Sequence, residues 1–131
     1  MRWIPLAVAA LLAASPAAAF FGPPAEIAAA KEALELHYIN RKIYSPVSCR
    51  YEKVQAAYYI LCGPVPRDRQ TPGGLFLVTG ERGQSTVAPV NGKAKGHIGS
   101  AGVISAADGK AVPVIQAPAG IDVTGILEKF F

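Results

Sequence analysis

Two histidines and two cysteines are the residues from which this chain of 131 residues could most readily build a chemical site. A zinc site needs three or four ligands, and a catalytic triad needs a histidine beside a serine and a carboxylate. His37 stands in a run of helix-forming residues and His97 in a glycine-rich stretch, without such neighbours. The sequence contains no G-x-S-x-G, H-E-x-x-H, Walker or G-x-G-x-x-G motif. We therefore predict no catalytic residue, no metal site and no cofactor.

The two cysteines predict a disulfide bond. Cys49 and Cys62 are the only cysteines, and their C-x12-C spacing is neither a zinc pattern nor a redox C-x-x-C motif. If the chain folds back near Gln55-Ala56, residues whose numbers sum to 111 face each other, and the two cysteines satisfy that sum. A tight hairpin and a wider loop both remain open, because no Asn-Gly or Gly-Gly stands at the tip.

Basic residues provide the candidate binding surface. Arg67 and Arg69 lie in a polar loop, and Lys93 and Lys95 would share one face if their segment were a strand. Such patches can attract an anionic cell-surface polymer, and the alternative is a solvated edge strand guarded by lysine. The formal net charge of +4 is too small and too scattered to indicate a nucleic-acid partner.

The first 19 residues have the pattern of a cleavable export signal. Arg2 gives a short positive start, residues 4–14 are mostly apolar, and small residues precede the predicted cleavage after Ala19. The alternative is an N-terminal membrane anchor. No later apolar run approaches the ~20 residues of a membrane span. We therefore predict an exported chain, periplasmic or secreted, that begins at Phe20 and has no membrane span after cleavage.

Residues 20–131 predict one small domain of the α+β class. Residues from Ala25 to about Tyr44 favour a helix, whose apolar stripe includes Ile27 and Leu34. That helix ends near Asn40 or at Ser45-Pro46. Short β-prone segments follow at residues 47–51, 58–62, 75–79 and 85–90. One helix followed by strands indicates an N-terminal helix packed on a small antiparallel sheet.

The Gly/Ala-rich C-terminal part has a weaker pattern. Asn91-Gly92 predicts a hairpin turn. Within residues 93–120, short edge strands around Asp108-Gly109 and a mobile stretch are both open. A short helix is expected in residues 121–131. The terminal Phe130-Phe131 pair either packs back on the core or is captured by a partner domain.

A set of short motifs carries a family resemblance over about residues 30–80. Ser45-Pro46-Val47-Ser48 follows the helix, and two further motifs are Cys62-Gly63-Pro64-Val65 and Gly73-Gly74-Leu75-Phe76. The chain resembles small exported proteobacterial domains of unknown function with a D-P-x-S, C-G-x-V-N and G-G-[YF] pattern. It differs from that pattern at Ser45, Pro66 and Leu75. The resemblance implies export and a helix-plus-sheet fold, and it implies no activity.

These observations together predict an exported, non-enzymatic binding module of the cell envelope. Its expected partner is another envelope protein or an anionic cell-surface polymer. The alternative is a small secreted hydrolase, in which His97 would be needed for turnover, or an inhibitor of such an enzyme. For an inhibitor, residues 67–72 next to the disulfide would form the rigid contact loop.

Overall fold

The fold is α+β, as predicted. The computed structural model describes residues 24–81 and 83–131, and the predicted export signal lies outside the described residues. The elements in chain order are α1 (Ala25–Asn40), β1 (Val47–Val54), β2 (Ala57–Pro64), β3 (Gly74–Glu81), β4 (Gln84–Pro89), α2 (Gly92–Ile98), β5 (Val103–Ser105), β6 (Ala111–Pro113) and α3 (Val123–Glu128).

The main sheet has four antiparallel strands in the order β1-β2-β3-β4. Consecutive strands are neighbours, because short connections favour pairing with the strand that precedes. β5 and β6 form a second, two-stranded sheet around the predicted Asp108-Gly109 turn. A parallel bridge between Val87 and Val114 joins β4 to the chain that follows β6.

Helix α1 covers one face of the main sheet. Its buried stripe includes Ile27, Leu34 and Tyr38, which lie on one side of a helix because they recur every three to four residues. The stripe packs on buried sheet residues Ile60, Phe76, Val78 and Val87. Burying a large apolar side chain contributes about 1.5–3 kcal/mol. This layer is therefore a main source of the fold's stability.

The C-terminal residues cover the opposite face of the sheet. Ile126 of α3 and Phe130 are buried there against sheet residues Tyr59, Leu61, Leu75, Leu77 and Ala88. The side chain of Phe130 is 2% exposed. The terminal aromatic pair thus packs on its own core, and both faces of a small sheet are covered by a single chain.

The predicted disulfide joins β1 to β2. Cys49 and Cys62 are opposite each other in the strand register, with a sulfur–sulfur distance of 2.08 Å. The register follows the tight-hairpin alternative, because Val54 faces Ala57 across a two-residue turn. Gln55 has φ 58°, a left-handed conformation that such a turn needs and that is uncommon outside glycine.

The predicted hairpin turn at Asn91-Gly92 is wrong. Asn91 instead caps helix α2, and its Oδ1 accepts a hydrogen bond from the backbone N–H of Ala94 at 2.8 Å. The same oxygen accepts from the N–H of Leu75 at 3.1 Å. The Asn91 side-chain nitrogen donates to the carbonyl of Gly73 at 3.0 Å. Asparagine favours both turns and helix N-termini, and here the cap and two tertiary bonds, to Leu75 and Gly73, select the helix.

Candidate functional site

The predicted basic loop is fastened to the C-terminus. Residues 65–71, called the binding loop below after the role predicted for them, lie in the connection 65–73 between β2 and β3, and residues 65–70 are exposed. Arg67 Nη1 donates a hydrogen bond to the carbonyl oxygen of Phe130 at 2.8 Å. Arg69 Nη1 forms an ion pair with Glu128 Oε2 at 2.8 Å. Two basic side chains of the loop therefore hold the end of the chain.

A third arginine reaches the same carbonyl from the sheet. Arg50 of β1 also donates to the oxygen of Phe130, so two guanidinium groups converge on one main-chain acceptor. Burial lowers the pKa of Arg50, the charge of Arg67 lowers it further, and Glu52 opposes that shift. The sequence does not identify Arg50 as a site residue, because only its partner, 80 residues along the chain, distinguishes it from any polar residue of a half-buried strand.

The same arginines lie over the terminal aromatic rings. The guanidinium carbons of Arg67 and Arg69 are 5.8 Å and 5.4 Å from the ring centre of Phe131. The guanidinium carbon of Arg50 is 5.6 Å from the ring centre of Phe130. A cation over an aromatic face within about 6 Å is attracted to it. These contacts add to the hydrogen bonds that fix the loop.

The binding loop is also ordered from within. Asp68 Oδ1 accepts a hydrogen bond from the N–H of Gln70 at 3.0 Å, and the Asp68 carbonyl accepts from the N–H of Thr71 at 3.1 Å. This is an Asx turn, in which an aspartate side chain stabilises the turn that follows it. Val65 at the start of the loop is 49% exposed. The loop thus combines a fixed backbone with exposed side chains.

The two lysines proposed with these arginines lie elsewhere. Lys93 and Lys95 belong to α2, so they do not share a strand face. Residues two apart in a helix point in nearly opposite directions. Helix α2 packs on β3 and β4, and Lys95 borders a cavity of about 570 Å³ beside residues 116–121. The four basic residues therefore form an arginine pair at the C-terminus and two divergent lysines on a helix.

The two histidines meet between α1 and α2. His97 Nδ1 lies 2.7 Å from the hydroxyl oxygen of Tyr38, and His37 Nε2 lies 2.9 Å from the carbonyl oxygen of His97, to which its N–H donates. Tyr44 stacks on Tyr38 with ring centres 5.9 Å apart. The ring of Tyr44 also meets His97 edge-on, at 5.3 Å between centres.

The Tyr38 hydroxyl and the His97 imidazole of this histidine–tyrosine cluster are both held in their neutral forms. Burial raises the pKa of Tyr38, and the nearby Tyr44 raises it further. Burial lowers the pKa of His97, and the charges of Lys93 and His37 lower it further. At neutral pH a hydroxyl and a neutral imidazole therefore share a hydrogen bond. The cluster ties two helices together without the carboxylate that would orient a general base.

In residues 24–81 and 83–131, no three His, Cys, Asp or Glu side chains are grouped so that they could hold a metal ion. The helices in this part of the chain do not combine the length and hydropathy needed to cross a membrane.

No protein-family model, curated protein or solved structure matches the chain. The resemblance to small exported proteobacterial domains therefore stays a prediction.

Proposed function

We propose that the chain is an exported, non-enzymatic binding module and that the binding loop, residues 65–71, is its contact surface. The observation that carries this proposal is the attachment of an exposed loop to the C-terminus through Arg67 and Arg69. Exposed loops are usually mobile, and ordering one on association costs binding free energy. A loop ordered in advance avoids that cost.

The partner that fits this surface is another envelope protein. Val65 offers exposed apolar area, which gains free energy when a protein surface covers it. Arg69 offers a charge whose side chain is 61% exposed and whose ion pair with Glu128 is equally exposed. An exposed ion pair contributes little, so Arg69 can exchange Glu128 for a partner carboxylate at small cost. The partner should therefore present an acidic group beside an apolar patch.

Export is part of this proposal. The leader pattern in residues 1–19 and the Cys49–Cys62 disulfide both support it, because disulfides persist in oxidising compartments. The intact mass of protein purified from the native envelope tests it. We expect the mass of residues 20–131 with the two cysteines oxidised. A full-length chain with two free thiols, recovered from the cytosol, would contradict export.

Chemical cross-linking followed by pull-down from the native envelope tests the contact surface. We expect the double variant Arg67→Ala/Arg69→Ala to lose the adduct that the wild-type chain forms. The matched control is Lys93→Ala/Lys95→Ala, which removes the same charge from α2 and should keep the adduct. If the lysine variant lost the adduct and the arginine variant kept it, the contact surface would lie on α2 and not on the binding loop. If the captured partner is a hydrolase that loses activity in the adduct, the module is its inhibitor.

A further inference from the structure

The two edges of the main sheet differ. The outer edge of β4 is paired with the chain that follows β6. Val87 forms a bridge with Val114, and the carbonyl of Val87 accepts a hydrogen bond from the N–H of Ile115 at 2.9 Å. β1 forms the other edge. An edge strand has a row of N–H and C=O groups that can pair with another chain.

The strand register identifies the outward-facing groups of β1. Val54 and Ala57 close a two-residue hairpin, so these two residues form a hydrogen-bonded pair. From there along the two strands, non-hydrogen-bonded and hydrogen-bonded pairs alternate. The Cα atoms of Cys49 and Cys62 are 4.0 Å apart, as in a pair that is not hydrogen-bonded. The outward N–H and C=O groups are those of Val47, Cys49, Tyr51 and Lys53. Among the described residues, none of these groups takes part in a backbone hydrogen bond outside the sheet.

β1 also lacks the backbone obstacles to edge pairing. Its eight residues contain no proline, and its register with β2 runs without a bulge. Proteins prevent edge-to-edge association with short edges, prolines, bulges and charged side chains, lysine above all, and of these β1 has only the charges of Arg50, Glu52 and Lys53. Only the charged residues of β1 remain to control which chain can pair with it.

We propose that β1 pairs antiparallel with β1 of a second copy, about a two-fold axis at Tyr51. In that register the outward N–H and C=O groups of Tyr51 face those of Tyr51 of the second copy. Those of Cys49 face Lys53 of the second copy, and those of Lys53 face its Cys49. Arg50 then lies opposite Glu52 of the second copy, and Glu52 lies opposite its Arg50. These are non-hydrogen-bonded positions, where side chains come closest. The pairing makes a continuous eight-stranded sheet with two ion pairs across the axis.

Charge selects this register over its neighbours. Outward groups face each other only when the axis passes through a residue of β1, so the nearest alternatives centre on Arg50 or on Glu52. The first places Arg50 opposite Arg50 and the second places Glu52 opposite Glu52. Like charges directly opposite are destabilising. The ion pairs of the described residues, Lys31–Glu35 and Arg69–Glu128, include neither Arg50 nor Glu52. Arg50 donates to the Phe130 carbonyl through one Nη atom, and its other N–H groups remain for a carboxylate.

Sedimentation of the purified exported chain, from micromolar to millimolar concentration, tests this interface. We expect a monomer–dimer equilibrium whose dissociation constant rises about tenfold or more in Glu52→Arg. Arg50→Glu/Glu52→Arg should restore the dimer, because it exchanges the two charges. It also removes the bond from Arg50 to the Phe130 carbonyl, so its free energy of unfolding is measured beside its dissociation constant. The control Asp108→Arg makes the same charge change on the turn between β5 and β6. A monomer at all concentrations, or a dimer insensitive to Glu52→Arg, would overturn the proposal.

Amide hydrogen exchange gives an independent readout on the wild-type chain. The N–H groups of Cys49, Tyr51 and Lys53 point outward and should exchange fast in dilute solution. They should become protected as the concentration rises, whereas those of Arg50 and Glu52 are already bonded to β2 and should change little. A dimer without this alternation would use another surface and would also overturn the proposal.

Discussion

The Nη1 atom of Arg67 lies 2.8 Å from the carbonyl oxygen of Phe130, so the loop between β2 and β3 is fixed to a residue 63 positions later in the chain. Arg50 donates to the same oxygen from β1. One main-chain acceptor therefore joins the binding loop, the edge strand and the C-terminal segment. A substitution in any one of these three segments should therefore alter the local stability of the other two.

Arg67→Ala should loosen the binding loop. It removes a hydrogen bond from a charged donor, a loss of about 1–1.5 kcal/mol because Arg50 still donates to the same part-buried carbonyl. We expect faster amide exchange in residues 66–71 and a lower free energy of unfolding. Arg69→Ala is the control, because its exposed ion pair contributes less than about 1 kcal/mol. Equal effects of both substitutions would show that the Phe130 contact does not order the loop.

Phe130→Ala should destabilise the fold more than Phe131→Ala. The Phe130 ring is 2% exposed, and removing such a ring costs about 3–5 kcal/mol. Phe131 is only partly buried, so we expect less than half of that loss. Urea denaturation of the two variants measures the difference. A neutral Phe130→Ala would mean that the C-terminal segment does not cover the sheet.

Gly74→Ala should be destabilising, and Gly96→Ala should be stabilising. A Cβ at Gly74 would lie 2.3 Å from the Tyr38 hydroxyl and 3.1 Å from the Cα of Ala94, which is an overpacking cost of about 1–3 kcal/mol. Gly96 lies inside α2 with open space around it, where alanine gains about 0.5–1 kcal/mol. Thermal unfolding of both variants checks the signs. A tolerated Gly74→Ala would contradict the close approach of Tyr38.

The stability of the wild-type chain should fall as the pH drops below about 6.5. Burial, Lys93 and His37 lower the pKa of His97 in the folded state, while the unfolded chain takes up its proton near pH 6.5. Between the two pKa values the unfolded state binds more protons, so acid favours unfolding there. Tyr38 and Tyr44 also face this imidazole but stay protonated in this range.

The difference between wild type and His97→Gln isolates this effect, because the other titrating groups are shared. Urea unfolding between pH 7.5 and pH 5 should show a steeper loss for the wild type. If the free energy of unfolding fell equally with pH in both chains, a buried, neutral His97 would be contradicted.

Reduction of the disulfide between Cys49 and Cys62, which are 13 positions apart, should lower the free energy of unfolding by about 3 kcal/mol, because the bond closes a loop in the unfolded chain. The double variant Cys49→Ala/Cys62→Ala should show the same shift in its denaturant midpoint. The wild-type chain with its disulfide intact serves as the reference. An unchanged midpoint would mean that the hairpin is equally restricted without its covalent link.

The elements that depend on local patterns could be predicted. The stripe of Ile27, Ala30, Leu34 and Tyr38 recurs at helical spacing and forms the buried side of α1. The sum rule about Gln55-Ala56 identified the observed register of β1 and β2 as one of two alternatives, and the two-residue turn of the structure selects it. These features need only neighbouring residues.

The features that depend on distant partners could not be predicted. Helix α2 contains glycine at Gly92 and Gly96, a composition typical of loops, and it forms because Asn91 bonds to Gly73 and Leu75. The convergence of Arg50 and Arg67 on Phe130 joins residues 80 and 63 positions apart. The sequence could identify Arg67 and Arg69 as a basic loop, but it could not show that the C-terminus holds them.

A photo-activated cross-linker placed at Gln70 tests the proposed contact surface most directly. Gln70 is exposed in the binding loop, and Asp108, on the exposed turn between β5 and β6, is the control position. In the native envelope we predict one adduct from position 70 that excess unlabelled wild-type chain competes away and that excess Arg67→Ala/Arg69→Ala does not. Adducts from position 108 alone, or none that wild-type chain competes away at position 70, would contradict the binding-module proposal.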